Sequence, residues 1–249
     1  MRFPARLTCL CLALATSSCS AGLTRQYEYE EEIFLDVDGS ATVVVNSSIA
    51  ALVALRGLDL DPRPRSRLDR RRVSSAYASA ATRVLRVSRP WRRAGRRFVQ
   101  VRLEVPDVRQ LAHAAPFAWA TYRFENAGGE LVYRQQLGAA ARGEVEATGW
   151  TGAELVAVRV HLPSRILYHN VRRLDDGAPG QVERGNILTW TQRLSDRLAG
   201  APLEIEARIE PTTVLATTLW VFAAAVAAAA FVVAALIWWT LRRPSTPVT

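Results

Sequence analysis

Arginine is the residue type with the most chemistry to offer in this sequence. Between Arg63 and Arg97 stand 13 arginines and a single acidic residue, Asp69. Two clusters stand out: Arg70, Arg71 and Arg72 in a row, and Arg92, Arg93, Arg96 and Arg97 beside Trp91. A guanidinium group is a planar fork of donors that pairs bidentately with phosphate or carboxylate. The second cluster falls in one hairpin turn, so its four charges are expected to converge within a Debye length of about 8–10 Å. Trp91 would settle at a headgroup boundary, where an amphipathic ring is comfortable. These eight residues form the candidate anion- or lipid-binding site. The blander reading is a solvated basic face balanced by Glu28, Glu30, Glu31 and Glu32.

Other chemistry has little to work with. Cys9, Cys11 and Cys19 are the three cysteines, so the rest of the chain forms no disulfide and offers no thiol nucleophile. His113, His161 and His169 show neither H-x-x-x-H nor H-E-x-x-H spacing and no clustered carboxylates accompany them, so a metal site lacks its ligands. No G-x-S-x-G, P-loop or GxGxxG motif occurs. Asp175-Asp176 before Gly177 reads as a turn. The expectation is a non-catalytic chain without metal or other cofactor. The enzymatic alternative is an envelope hydrolase whose groups are brought together only in space.

The two ends of the chain decide where these arginines sit. Arg2 and Arg6 precede the short apolar run Leu7 to Ala15, and small residues follow from Thr16 to Ala21. This is the layout of a secretory signal over residues 1–21, with cleavage after Ala21. Alternatively Cys19, preceded by Ser17 and Ser18, is the lipid-modified first residue of a lipoprotein, although Thr16 stands where Leu is usual. At the other end, Val214 to Trp239 runs 26 residues without charge or proline. At about 1.5 Å per residue such a helix reaches about 39 Å, more than the about 30 Å of a hydrocarbon core. Trp220 and the pair Trp238-Trp239 mark its two interfaces, and Arg242-Arg243 follow as a cytoplasmic stop. The division is therefore an extracytoplasmic domain over 22–212 with a basic insertion at 58–97, a transmembrane helix over 213–240 and a cytoplasmic tail over 241–249. The expected location is the bacterial cell membrane, single pass, type I. Outside the cytoplasm the arginines do not meet nucleic acid; anionic lipid or glycolipid headgroups and acidic envelope polymers are the sensible partners.

The elements that must position the arginines read as strands. Apolar residues make up 49% of the 249 residues and charged ones 22%, which excludes a disordered body. Tyr27 to Val37 and Ala41 to Val45 flank the hairpin turn Asp38-Gly39. Ser47 or Ser48 caps a short helix that Gly57 stops. Strict alternation marks Val99–Val105, Val156–Leu162 and Leu203–Ile209. Arg83–Ser88 is expected to pair with the Val99 strand across Pro90–Gly95. Phe117–Glu125 and Leu131–Leu137 flank a second hairpin, and Ile187–Gln192 follows the Gly185-Asn186 turn. Val73–Ala81 reads as helical, and Asp107 caps another short helix. About nine strands, mostly in hairpins, with two or three short helices give an α+β, β-rich antiparallel domain, sandwich or barrel-like.

The stretch Leu162-Pro163-Ser164, Asn170, Gly185-Asn186 and Leu188-Thr189-Trp190 resembles the closing pattern of the LppM-like family of bacterial envelope proteins. The early Asp38-Gly39-Ser40 hairpin and the C-terminal apolar segment resemble it too, so the likeness runs from Tyr27 to Trp239. Ser164 replaces a family glycine, and the Arg63–Arg97 segment is unusually basic. The resemblance implies an envelope protein with a lipid-binding-like β domain and no catalysis; it brings no catalytic residues. The functional expectation is a membrane-anchored binding module for anionic lipid or glycolipid. A structural or regulatory partner of another membrane protein is the alternative, because the small side chains of Ala223 to Ala230 let a second helix approach closely.

Overall fold

The computed structural model describes residues 27–141, 145, 149–212 and 214–242. The signal segment, Cys19 and the tail from residue 243 lie outside the described residues. Among the described residues eleven strands form two sheets. They are β1 (Tyr27–Leu35), β2 (Ala41–Ser48), β3 (Arg83–Val87), β4 (Trp91–Arg93), β5 (Arg96–Val105), β6 (Ala120–Ala127), β7 (Glu130–Leu137), β8 (Leu155–His161), β9 (Ile166–His169), β10 (Ile187–Arg193) and β11 (Leu203–Ile209). The larger sheet runs β10-β8-β1-β2-β5-β3, with β4 also on β5; the smaller runs β6-β7-β11-β9. Both sheets are open, so the architecture is α+β with two layers of strands and not a barrel.

Sequence chemistry explains the joints. Gly39 at φ 89° closes the β1–β2 turn, where Asp38 Oδ1 accepts from the Ser40 N–H at 2.9 Å and from its hydroxyl at 2.7 Å. Helix α1 (Ile49–Arg56) starts on Ser48, whose hydroxyl accepts from the Ala51 N–H at 3.0 Å. It ends on Gly57 at φ 64°, whose N–H donates to the Val53 carbonyl at 2.9 Å, while Leu58 N–H reaches the Leu52 carbonyl at 3.3 Å. Every residue of α1 is buried, and replacing Leu52 or Leu55 by alanine is worth about 2–5 kcal/mol on the usual scale for core leucines. Helix α2 (Arg70–Tyr77) is capped by Asp69 and buries only Val73 and Tyr77. Asp107 caps the expected short helix, which is a 3-10 helix over Val108–His113. A short helix α3 (Leu194–Leu198) links β10 to β11, and helix α4 (Val214–Arg242) follows β11.

Three features depart from the sequence reading. The long-range pair β1–β8 is parallel, with Phe34 beside His161, whereas hairpin logic predicts antiparallel neighbours throughout. The segment between β3 and β5 is no simple turn, because Trp91–Arg93 forms a strand of its own on β5 and the reversal is confined to Ala94-Gly95. Finally, the run of glutamates is not one solvated face. Strand alternation turns Tyr29, Glu31, Ile33 and Leu35 inward, and Glu31 is fully buried. There its carboxylate accepts from Tyr29 at 3.0 Å, Tyr122 at 3.2 Å and Gln135 at 3.1 Å, tying β1 of one sheet to β6 and β7 of the other.

Among the described residues one helix is long and apolar enough to cross a membrane, Thr218–Trp239 within α4, 22 residues with mean hydropathy 2.6. Only Glu210 to residue 213 separate the start of α4 from β11. The end of β11 therefore marks the end of the domain that joins α4, the candidate membrane anchor, here the anchor end. Ile209 pairs with Leu131 and Ile166, and Glu210 N–H donates to the Arg165 carbonyl at 3.0 Å. Through β8 this end also holds Phe34, and through β2 the Ala41–Val105 pair. The opposite end holds Tyr27, Ser48 and Phe98. The β4–β5 hairpin belongs to that far end.

Candidate functional site

In the hairpin Arg92 pairs with Arg97 and Arg93 with Arg96. Cross-strand partners share a face and successive residues alternate, so the four side chains divide two and two. Arg97 is buried; its guanidinium donates to the carbonyls of Ser66 and Asp61, the latter at 2.8 Å, and to the Ser66 hydroxyl at 2.7 Å. Arg92, on the same side, stays exposed and, among the described residues, reaches only the Pro64 carbonyl, at 3.2 Å. On the other face Arg96 pairs with Glu28 at 2.9 Å and with Glu154 at 3.7 Å, its side chain 12% exposed. Arg93 donates to the Tyr27 carbonyl and lies over the Phe98 ring, 4.1 Å from its centroid. Burial pushes the Arg93 and Arg97 guanidinium groups below the ordinary arginine range. The expectation of four converging charges is thus corrected: Arg96 and Arg97 hold the fold together, and of this cluster Arg92 alone extends a largely free charge into solvent.

The first cluster fares differently. Arg70, Arg71 and Arg72 fill the first turn of α2 and all three are exposed. Arg72 pairs with Asp59, and Arg70 reaches the Val87 carbonyl at 3.4 Å. Arg67, Leu68, Asp69, Arg70 and Arg71 line an open groove of about 550 Å³. The Asp69 carboxylate is engaged there as the cap, accepting from the Arg71 N–H at 2.8 Å. Arg67, Arg70 and Arg71 form no ion pair among the described residues.

A second arrangement escapes sequence reading because it is assembled from four strands. On the outer face of the larger sheet Arg159 Nη1 lies 3.0 Å from Glu30. Asn46 donates to the other oxygen of Glu30 at 3.2 Å, and Gln100 donates to Asn46 Oδ1 at 2.9 Å. Beside this row Trp91 stacks on Phe98, centroids 5.9 Å apart with planes 25° from parallel. Glu30, Asn46, Arg159, Trp91, Phe98 and Arg93 surround a cavity of about 210 Å³. The signal available in sequence was the alternation of polar residues on β1, β2 and β5; the registers that align them were not.

The histidines hold no shared site. His161 Nε2 lies 2.7 Å from Glu32 Oε1 and its ring stacks on Phe34 at 4.0 Å. Burial lowers the pKa of His169, and His113 ends the 3-10 helix far along the chain. Among the described residues no group of three or more His, Cys, Asp or Glu is placed to hold a metal ion.

No family model matches the chain, and no curated protein does. Among solved structures it is similar to the folded domain of the Mycobacterium tuberculosis LppM protein, determined by NMR, at 14% identity and a TM-score of 0.37, over 77% of this chain and 95% of that one. The resemblance to the LppM-like proteins is a weak one.

Proposed function

We propose that the chain is a non-catalytic, membrane-anchored binding module of the bacterial cell envelope, its β-rich domain extracytoplasmic and its ligand an anionic headgroup or acidic polymer. The groove beside α2 carries this reading. Arg67, Arg70 and Arg71 line it and have no ion-pair partner among the described residues. Two of them stand in the first turn of a helix, where the macrodipole disfavours positive charge, so a bound anion relieves both costs. Guanidinium groups grip phosphate and carboxylate alike. Anionic lipid and anionic glycolipid present the same chemistry, and α4 supports the membrane setting.

The test is binding of the full chain, held in phosphatidylcholine nanodiscs, to vesicles of phosphatidylcholine with or without phosphatidylglycerol. At about 1 kcal/mol per arginine near an anionic surface, an Arg67→Gln/Arg70→Gln/Arg71→Gln variant loses about a hundredfold in affinity. Wild-type binding is salt-sensitive and confined to the anionic vesicles. Equal binding to both vesicle types, or an unchanged triple variant, overturns the reading.

A further inference from the structure

The cavity beside Trp91 lies on the other face of the hairpin from Arg92, and none of its walls belongs to the α2 groove. We infer that it binds a single ring of an uncharged saccharide. This goes beyond the anionic-ligand reading, since Arg67, Arg70 and Arg71 take no part.

The walls differ in character as the two aspects of a sugar differ. Trp91 is 38% exposed while Phe98 beneath it is 1% exposed, so the indole is a supported platform with a free aromatic surface. The C–H groups of a pyranose are weakly positive and apolar, and an aromatic face is the negative end of its quadrupole. Opposite stand Arg159, Glu30 and Asn46, with Gln100 behind Asn46 outside the lining. Arg159 only donates, the Glu30 carboxylate only accepts, and Asn46 does both. A hydroxyl both donates and accepts, so a ring of hydroxyls matches all of them. A phosphate or carboxylate only accepts and meets Glu30 as a like charge. The two cations that could offset this are both engaged, Arg159 by Glu30 itself and Arg93 by the Tyr27 carbonyl and the Phe98 ring.

Preorganisation and size agree. Each polar group of the row is held by its neighbour, so little rotamer freedom is lost when a ligand arrives. The cavity is smaller than the about 300–1,000 Å³ of pockets for drug-sized ligands, which suits one ring of a longer chain. It sits beside Tyr27 and Phe98, at the end of the domain away from the anchor. A polysaccharide chain and the headgroup of a glycolipid in a facing membrane share the required chemistry.

The experiment titrates the full chain in phosphatidylcholine nanodiscs with neutral linear tetrasaccharides of glucose, galactose, mannose or N-acetylglucosamine, following tryptophan fluorescence and calorimetric heat. A second arm uses phosphatidylcholine vesicles carrying diglucosyl diacylglycerol. The expected result is saturable binding of at least one soluble tetrasaccharide, tighter than about 5 mM and insensitive to salt. Trp91→Ala weakens it about tenfold, Trp91→Phe restores most of it, and Asn46→Ala weakens it about threefold or more. Competition of the soluble sugar against the vesicle assigns both sources to this cavity. Silence of all four tetrasaccharides overturns the inference, including the case in which the glycolipid vesicle alone binds, because the acyl chains then carry recognition. Equal binding by Trp91→Ala also overturns it. The Arg67→Gln/Arg70→Gln/Arg71→Gln variant keeps the saccharide affinity, so failure here and failure of the anionic reading are separate outcomes.

Discussion

Glu31 and Arg56 form an ion pair across the interior, 3.7 Å apart, with side chains 0% and 1% exposed. Arg56 also donates through Nε to the Tyr29 hydroxyl at 3.1 Å, and its Cζ stands 3.4 Å from the centroid of Trp119. Desolvating both charges is costly, and the surrounding hydroxyl, amide and ring contacts are what make the pair tolerable. Removing one partner leaves the other as an uncompensated buried charge. Glu31→Leu or Arg56→Leu therefore destabilises the domain by about 3–5 kcal/mol, and the double variant by less than the sum of the two. Denaturant unfolding of the four proteins of the cycle measures this; additive losses would show that the two residues do not act as a pair.

Arg92 and Arg97 face each other on one hairpin yet have opposite expected consequences. Arg97 clamps the segment around Asp61 and Ser66 onto β5 through three hydrogen bonds. Arg97→Gln frees that segment, and limited proteolysis cuts within residues 60–69 well before the rest of the domain. Arg92→Gln leaves both the cleavage pattern and the stability within about 0.5 kcal/mol of the parent, as is usual for exposed sites. Matching proteolysis of the two variants would mean that Arg97 is not a clamp.

These two pairs show where sequence reading succeeds and where it stops. The strands at β8 and β11 are plain because apolar and polar residues alternate strictly, and the caps at Ser48 and Gly57 because their chemistry is local. Glu31 is hidden in the run Glu30-Glu31-Glu32; only the parity of Tyr29 before it and of Ile33 and Leu35 after it betrays its inward position. Likewise the charge of Arg96 or Arg97 is legible, but the Glu28 and Ser66 groups that consume it come from distant segments brought in by register. The polar row at Glu30 needs β8, β1, β2 and β5 aligned at once. Clusters of charge in a sequence thus overstate the charge that reaches solvent.

Burial raises the pKa of Tyr29, Tyr77, Tyr122 and Tyr133, with the Glu31 carboxylate adding to the effect at each. The neutral phenol is favoured in the folded state, so the corresponding stability is fully present below the unfolded value of about pH 10 and falls as pH rises above it. In a Tyr27→Phe/Tyr168→Phe background only these four tyrosines remain. Their absorbance at 295 nm stays flat through pH 10 and then rises together with loss of the near-ultraviolet dichroism of the fold. A gradual rise with the fold intact would mean that the tyrosines are reached by solvent.

The position of the basic hairpin relative to the anchor is testable directly. From Val105, at the anchor end, to Phe98 is seven residue steps, about 24 Å at about 3.4 Å per residue. The link from Glu210 to α4 reaches about 14 Å at most when extended. In a Cys9→Ser/Cys11→Ser/Cys19→Ser background, a fluorophore is placed by Ala127→Cys at the end of β6 or by Ala94→Cys in the β4–β5 turn. Ala127 lies beside the Leu131–Ile209 pair, next to the strand that leads into α4, whereas Ala94 caps the far end. Quenchers carried on lipid headgroups in the chain's own nanodisc therefore dim the label at 127 and leave the label at 94 nearly unaffected. The separation of about 24 Å exceeds the Debye length of about 8–10 Å, so capture of the surrounding bilayer by the arginines would require the domain to lie on its side. Stronger quenching at 94 than at 127 would establish that posture and direct the α2 groove to the chain's own membrane; the reverse directs it to a ligand arriving from outside.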